Sequence, residues 1–68
     1  MTMTYDHFLT LVSEEFQKNP EMRYPQVWFN LLSTHRAEIS HKIIATSLDP
    51  FHKTIVSDET HAYVEENW

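Results

Sequence analysis

Residues 23–32 read Arg-Tyr-Pro-Gln-Val-Trp-Phe-Asn-Leu-Leu, the densest apolar stretch of the chain. Pro25 suits the first turn of a helix, where its missing N–H donor is not needed. We therefore predict a helix from Pro25 to about Ser33, with Phe29 beside its apolar stripe. The stripe itself comprises Val27, Trp28, Leu31 and Leu32. We expect this helix to be the central, buried element and Trp28 to lie in the core.

Two further helices are predicted from helical periodicity. The first spans residues 4–18, begins at a Thr4 cap and ends before Asn19-Pro20, because proline disfavours helical geometry in the residue before it. Its stripe is formed by Tyr5, Phe8, Leu9, Val12 and Phe16. The second of these helices spans about residues 36–45, and a break at Ser33-Thr34 separates it from the central helix. The apolar face of this second helix comprises Ala37, Ile39, Ile43 and Ile44.

The last third of the chain contains a turn and a final helix. Asp49 before Pro50 favours a turn, which we expect Leu48 and Phe51 to anchor in the core. Residues 53–56 are short and β-branched, so we expect coil or an edge that pairs with another copy. Ser57 or Asp58 then caps a helix through residue 67, whose end frays unless Trp68 docks.

These elements define an all-α fold, a compact bundle of three to four short helices in one domain over residues 1–68. A chain of this length buries only roughly 60% of its unfolded surface, so small domains usually need additional stabilisation from a disulfide, a metal or a partner subunit. There is no cysteine, hence no disulfide or thiolate metal site. Aromatic packing and self-association remain, and we expect a homodimer.

Composition also excludes several function classes. There is no glycine, which excludes Gly-rich phosphate loops and disfavours hairpin-rich folds. The formal net charge of −5 disfavours general nucleic-acid binding, which depends on Lys and Arg at phosphates. Neither a membrane span nor a signal peptide is recognisable, so we expect a cytoplasmic protein.

A spaced pattern runs through residues 23–68: Arg23, Gln26, Asn30 and Leu32, then Ile39 and Ile43, then Thr46 and Asp49-Pro50-Phe51. It resembles small uncharacterised proteins of tailed bacteriophages and prophages, whose pattern is roughly Arg-x-Gly-Gln-x-x-x-Asn-x-Leu followed by Thr-x-x-Asp-Pro-Phe-Tyr. Pro25 stands where that group often has glycine, and His52 where it often has tyrosine. The resemblance implies a phage origin but carries no activity over to particular residues.

Two surfaces are candidates for binding. A partner surface would use Tyr24, Phe29, Glu14 and Glu15, since aromatic residues dominate interface hot spots and the acids suit a basic partner. For Tyr24 and Phe29, core packing is the equal alternative, and for the acids it is a solvated face. An anion site would instead use the basic middle helix: His35, Arg36, His41 and Lys42.

Neither a cofactor, a metal site nor catalysis is predicted. The five histidines lack ligand spacing, since the nearest pair, His35 and His41, is separated by six positions. Ser40-His41 is adjacent on a helix, where neighbours point about 100° apart. We therefore expect a phage-encoded, non-enzymatic protein that binds and inhibits a host factor, such as a defence nuclease or the transcription machinery. The alternatives are an oligomeric nucleotide binder and a structural or accessory phage protein that acts by self-assembly.

Overall fold

The computed structural model describes residues 3–51 and 53–68. The regular secondary structure of this described part consists of α-helices, which confirms the predicted all-α class. The helices are α1 (Tyr5–Lys18), α2 (Tyr24–His35), α3 (Ala37–Ile43) and α4 (Asp58–Glu66). No strand occurs among the described residues. Residues 53–56 form coil, one of the two forms expected for them, with Val56 buried and Ile55 exposed.

The N-termini of α1 and α4 are capped by hydroxyl groups, as the sequence predicts. Thr4 Oγ1 accepts the backbone N–H of His7 at 3.1 Å, and Ser57 Oγ accepts that of Thr60 at 3.3 Å. Each bond satisfies one of the amides that a helix start leaves without a partner. These caps therefore fix where both helices begin.

The predicted break at Ser33-Thr34 is wrong, because α2 continues to His35. The hydroxyl of Thr34 donates to the carbonyl of Asn30 at 3.1 Å, so it is satisfied within α2 and does not cap the next helix. Arg36, with φ −141° and ψ 67°, ends α2 and precedes α3. The change of direction thus takes a single residue.

Helix α3 ends at Ile43, two residues earlier than the predicted Ala45. Ala45 lies in the left-handed region with φ 61°, where glycine usually stands. The Asp49 carboxylate holds the turn, accepting the N–H of Ala45 through Oδ2 and that of Phe51 through Oδ1, both at 2.9 Å. Asp49-Pro50 therefore forms the predicted turn.

The core surrounds α2, which packs against both α1 and α3. Trp28 is fully buried, as predicted. Phe29 is only 8% exposed, with its ring 6.0 Å from that of Phe51, so core packing is the alternative that the structure favours for it. The turn at Asp49 folds Phe51 over it. The buried apolar residues are Tyr5, Phe8, Val12, Val27, Trp28, Phe29, Leu32, Ile39, Ile43, Val56 and Val64.

Trp68 docks at the end of α4 and so meets the condition for an ordered terminus. Its indole N–H donates to the carbonyl of Met3 at 2.5 Å. Its ring lies 5.0 Å from that of Phe8 and 5.3 Å from that of Tyr5. The final residue therefore ties α4 to the start of α1.

Candidate interaction site

Two large apolar side chains are exposed among residues 3–51 and 53–68: Ile44 at 53% and Ile55 at 68%. Both belong to the connection between α3 and α4. Single exposed aliphatic residues are ordinary on a protein surface. Ile44 differs because it lines a groove that is mostly apolar, and that groove is the candidate site.

The groove has a volume of about 430 Å³ and is lined by Phe29, Ile44, Ala45, Asp49 and Phe51. The Phe29 and Phe51 rings meet edge to face at an interplanar angle of 79°. Asp49 is the lining residue with an ionisable side chain, and each of its two oxygens accepts a backbone N–H. We call these five residues the Ile44 groove.

Local backbone geometry creates the Ile44 groove. The prediction that Ile44 lies on the inner face of α3 is wrong, because Ile43 is 1% exposed and Ile44 53%. Ile44 follows the last residue of α3 and has the extended backbone angles φ −59° and ψ 135°, so its side chain does not continue the buried face of the helix. The left-handed turn at Ala45 then directs the chain away and leaves Ile44 at the surface.

The polar groups at the Ile44 groove already have partners. Both oxygens of Asp49 accept backbone N–H groups. The carbonyl of Phe51 accepts Nη2 of Arg23 at 3.1 Å, and Lys53 Nζ donates to the carbonyl of Ser47 at 2.9 Å. Arg23 and Lys53 are exposed. The groove therefore has an apolar floor and two cations beside it.

The four residues predicted to bind a partner lie in different environments. Phe29 lines the Ile44 groove, whereas Glu15 lines a second groove of about 250 Å³. Glu15 Oε1 accepts the side-chain amide of Asn19 at 3.2 Å, and Glu14 is exposed. Tyr24 is half-buried with its ring 5.6 Å from that of Phe16, and this burial raises the pKa of the phenol.

The second groove lies where α1 and the following turn meet α2. Its lining comprises Glu15, Asn19, Met22, Val27, Asn30, Leu31 and Thr34. Amides, a hydroxyl and a carboxylate surround its apolar part. It is therefore more polar than the Ile44 groove.

The predicted anion site is divided by the packing. The guanidinium of Arg36 lies 4.6 Å from the centre of the Trp68 ring, and its Nη1 donates to the carbonyl of His35. The half-buried His35 ring lies 6.4 Å from that of Phe8. His41 and Lys42 are exposed in the last turn of α3, where helix carbonyls favour cations over anions. The first two residues thus contribute to the fold.

A buried polar cluster that the sequence did not reveal joins three helices. The hydroxyl of Tyr5 lies 2.6 Å from Nδ1 of His61 and accepts the indole N–H of Trp28 at 3.3 Å. Burial raises the pKa of Tyr5 to about 12 and lowers the pKa of His61. Tyr5 thus remains a neutral phenol at physiological pH and is a weak nucleophile, so we assign this cluster a structural role.

Comparison with protein-family models, curated proteins and solved structures gave no match. Within residues 3–51 and 53–68, no group of three or more His, Cys, Asp or Glu side chains is placed to hold a metal ion. None of the helices in this described part is long and apolar enough to cross a membrane.

Proposed function

We propose that this chain is a non-enzymatic interaction module that binds a partner protein through the Ile44 groove. The observation that carries the proposal is the exposure of Ile44 beside a groove floored by Phe29 and Phe51. Burial of apolar surface contributes roughly 25 cal/mol per Å². A partner side chain that fills the groove would cover Ile44 and remove that surface from water.

We further propose that the partner is a host factor of a phage, which the chain inhibits by occupying one of its surfaces. This part rests on the resemblance of residues 23–68 to small phage proteins. Small size favours a blocking role, because a 68-residue chain covers a partner surface more readily than it encloses a substrate. Dimerisation stays a prediction, and light scattering over a wide dilution series tests it.

The test is affinity capture from bacterial lysate with wild-type protein, Ile44→Glu and a matched control, Ala62→Glu. Ile44 and Ala62 are both exposed, on different elements, so each variant adds one charge without opening the core. We expect wild type and Ala62→Glu to capture the same protein and Ile44→Glu to lose it. Circular dichroism must show equal helix content in all three. Equal capture by Ile44→Glu would reject the groove as the binding surface.

Charge reversal at Glu14 and Glu15 separates the groove from the acidic surface predicted from the sequence. Both residues lie on α1, and neither lines the Ile44 groove. Under the groove proposal, Glu14→Lys with Glu15→Lys leaves capture unchanged. If the same partner is lost from this double variant and kept by Ile44→Glu, the acidic surface is the site.

A further inference from the structure

We infer that the segment bound in the Ile44 groove is an acidic peptide segment of a different protein, with one apolar side chain that inserts between Ile44 and Phe51. This inference rests on the proposed function and adds the chemistry of the partner. The apolar side chain of the bound segment is inferred from the groove lining. Its acidic residues are inferred from the charges beside the groove.

One cation contacts a residue of the groove, and a second is held on the loop that forms its wall. Arg23 Nη2 donates to the carbonyl of Phe51, a lining residue, and Lys53 Nζ donates to that of Ser47, which lies between the lining residues Ala45 and Asp49. Each cation retains further N–H donors, because a guanidinium has five and an ammonium three. A carboxylate beside the inserted apolar side chain is therefore the complementary group.

The charge of the surroundings supports the same assignment. The chain has a formal net charge of −5, whereas two cations, Arg23 and Lys53, and one acid, Asp49, lie at the groove or on the loop that forms its wall. The acid that lines the groove, Asp49, has both oxygens engaged by backbone N–H groups. An acidic segment would thus be attracted here and repelled by most of the remaining surface, which favours this orientation of docking.

A second copy of the chain fits this surface poorly. Groove-to-groove pairing about a two-fold axis would bring Arg23 and Lys53 of both copies together, and like charges disfavour such contact. The acidic α4 of another copy lacks a large exposed apolar side chain. Its exposed residues are Asp58, Glu59, Ala62, Glu65 and Glu66. The exposed Ile55 of another copy lies two residues after its exposed Lys53, so docking of Ile55 would bring that cation towards Arg23 and Lys53 at the groove. A different protein is therefore the better occupant.

The probes are three labelled synthetic peptides of equal length titrated into the full chain by fluorescence anisotropy. One has a leucine flanked by glutamates, the second the same leucine flanked by lysines, and the third an alanine flanked by glutamates. We expect only the first to bind, and more weakly at high salt because salt screens exposed charges. Equal binding of the lysine peptide, or binding of none, overturns the inference. Equal binding of the alanine peptide and the leucine peptide, both flanked by glutamates, overturns it as well.

Charge-reversed variants locate the contact. Lys53→Glu is expected to weaken the glutamate–leucine peptide on the order of tenfold, whereas Lys18→Glu, the same change at an exposed site on α1, is expected to leave affinity unchanged. Arg23→Gln should weaken binding and Arg23→Lys should restore part of it. Equal affinity in Lys53→Glu and Lys18→Glu overturns the inference. The proposed function would survive that result if Ile44→Glu still lost the lysate partner, so the two failures are distinguishable.

Discussion

The phenol oxygen of Tyr5 lies 2.6 Å from Nδ1 of His61, although 56 positions separate the two residues. The same oxygen accepts the indole N–H of Trp28 at 3.3 Å. Depending on the imidazole tautomer, the phenol either donates its proton to Nδ1 or accepts Nδ1–H. One hydroxyl thus joins α1, α2 and α4, and burial at this contact disfavours the charged form of His61.

Acid is therefore expected to destabilise the fold through His61. Burial lowers the pKa of His61 below the ordinary 6.5 and outweighs the opposite effects of Asp58 and Glu65 on the same helix. In the window between the two values the unfolded chain binds more protons than the folded chain. The contribution of His61 is therefore present above pH 6.5 and is lost as the pH falls through the folded-state value. Urea unfolding at neutral pH and at about pH 5 measures this loss.

The control for that experiment is a pair of histidine variants. His61→Gln removes the titration, so its free energy of unfolding should change less between the two pH values than that of wild type. His7→Gln changes an exposed histidine on α1 and should behave as wild type. If His61→Gln loses as much stability as wild type, another group causes the acid effect.

Tyr5→Phe tests the same cluster from the alkaline side. Burial raises the pKa of Tyr5 from 10.0 to about 12, so its contribution is fully present below pH 10.0 and is lost as the pH rises through about 12. Tyr5→Phe should abolish this alkaline loss and remove the last step of tyrosinate absorbance. At neutral pH it should cost about 1–3 kcal/mol, because the buried Trp28 N–H loses its acceptor. Tyr63→Phe, which leaves Tyr5 and its hydrogen bonds in place, is the control.

Apolar spacing predicted the helices and most of the core because burial dominates their placement. The residues at i, i+3 and i+4 from Tyr5 to Phe16 permit one buried face, and Trp28 lies on the stripe of the central helix. The helix junction was less predictable, because the Thr34 hydroxyl can cap a new helix or bond back to Asn30, and both choices are local.

The candidate site was less accessible from the sequence than the core. The Ile44 groove depends on a left-handed Ala45, a conformation that favours glycine and is unexpected for alanine. The contact of Tyr5 with His61 depends on how α4 returns to α1, which local periodicity does not encode. The exposure of Ile44 follows from both the helix end and that backbone turn.

Ala45→Gly should raise the free energy of unfolding by up to about 1 kcal/mol. With φ 61°, Ala45 places its Cβ close to the backbone, which costs roughly 1–2 kcal/mol, and glycine avoids that contact. Part of the gain is offset by the greater freedom of glycine in the unfolded chain. The same substitution at the exposed Ala62 within α4 should instead cost up to about 1 kcal/mol. Chemical denaturation measures both, and equal signs for the two variants would contradict this assignment of strain.

Trp68 should contribute to stability both through its ring and through its N–H. The ring packs at a tilt against the rings of Phe8 and Tyr5 and lies under the Arg36 guanidinium, while the N–H donates to the carbonyl of Met3. Trp68→Ala should therefore lower the free energy of unfolding by about 2–3 kcal/mol, below the range for a fully buried tryptophan because Trp68 is half-buried.

Trp68→Phe separates the two contributions, since it keeps an aromatic ring and removes the donor and most of the cation–π attraction. We expect it to cost about 1–2 kcal/mol, less than Trp68→Ala. Arg36→Gln should cost about 0.5–1 kcal/mol in wild type and less in the Trp68→Phe background, because a cation–π pair is coupled through both partners. The fluorescence of buried Trp28 reports unfolding in every variant. If the cost of Arg36→Gln is the same in both backgrounds, Arg36 stabilises the chain through its other contact, the carbonyl of His35.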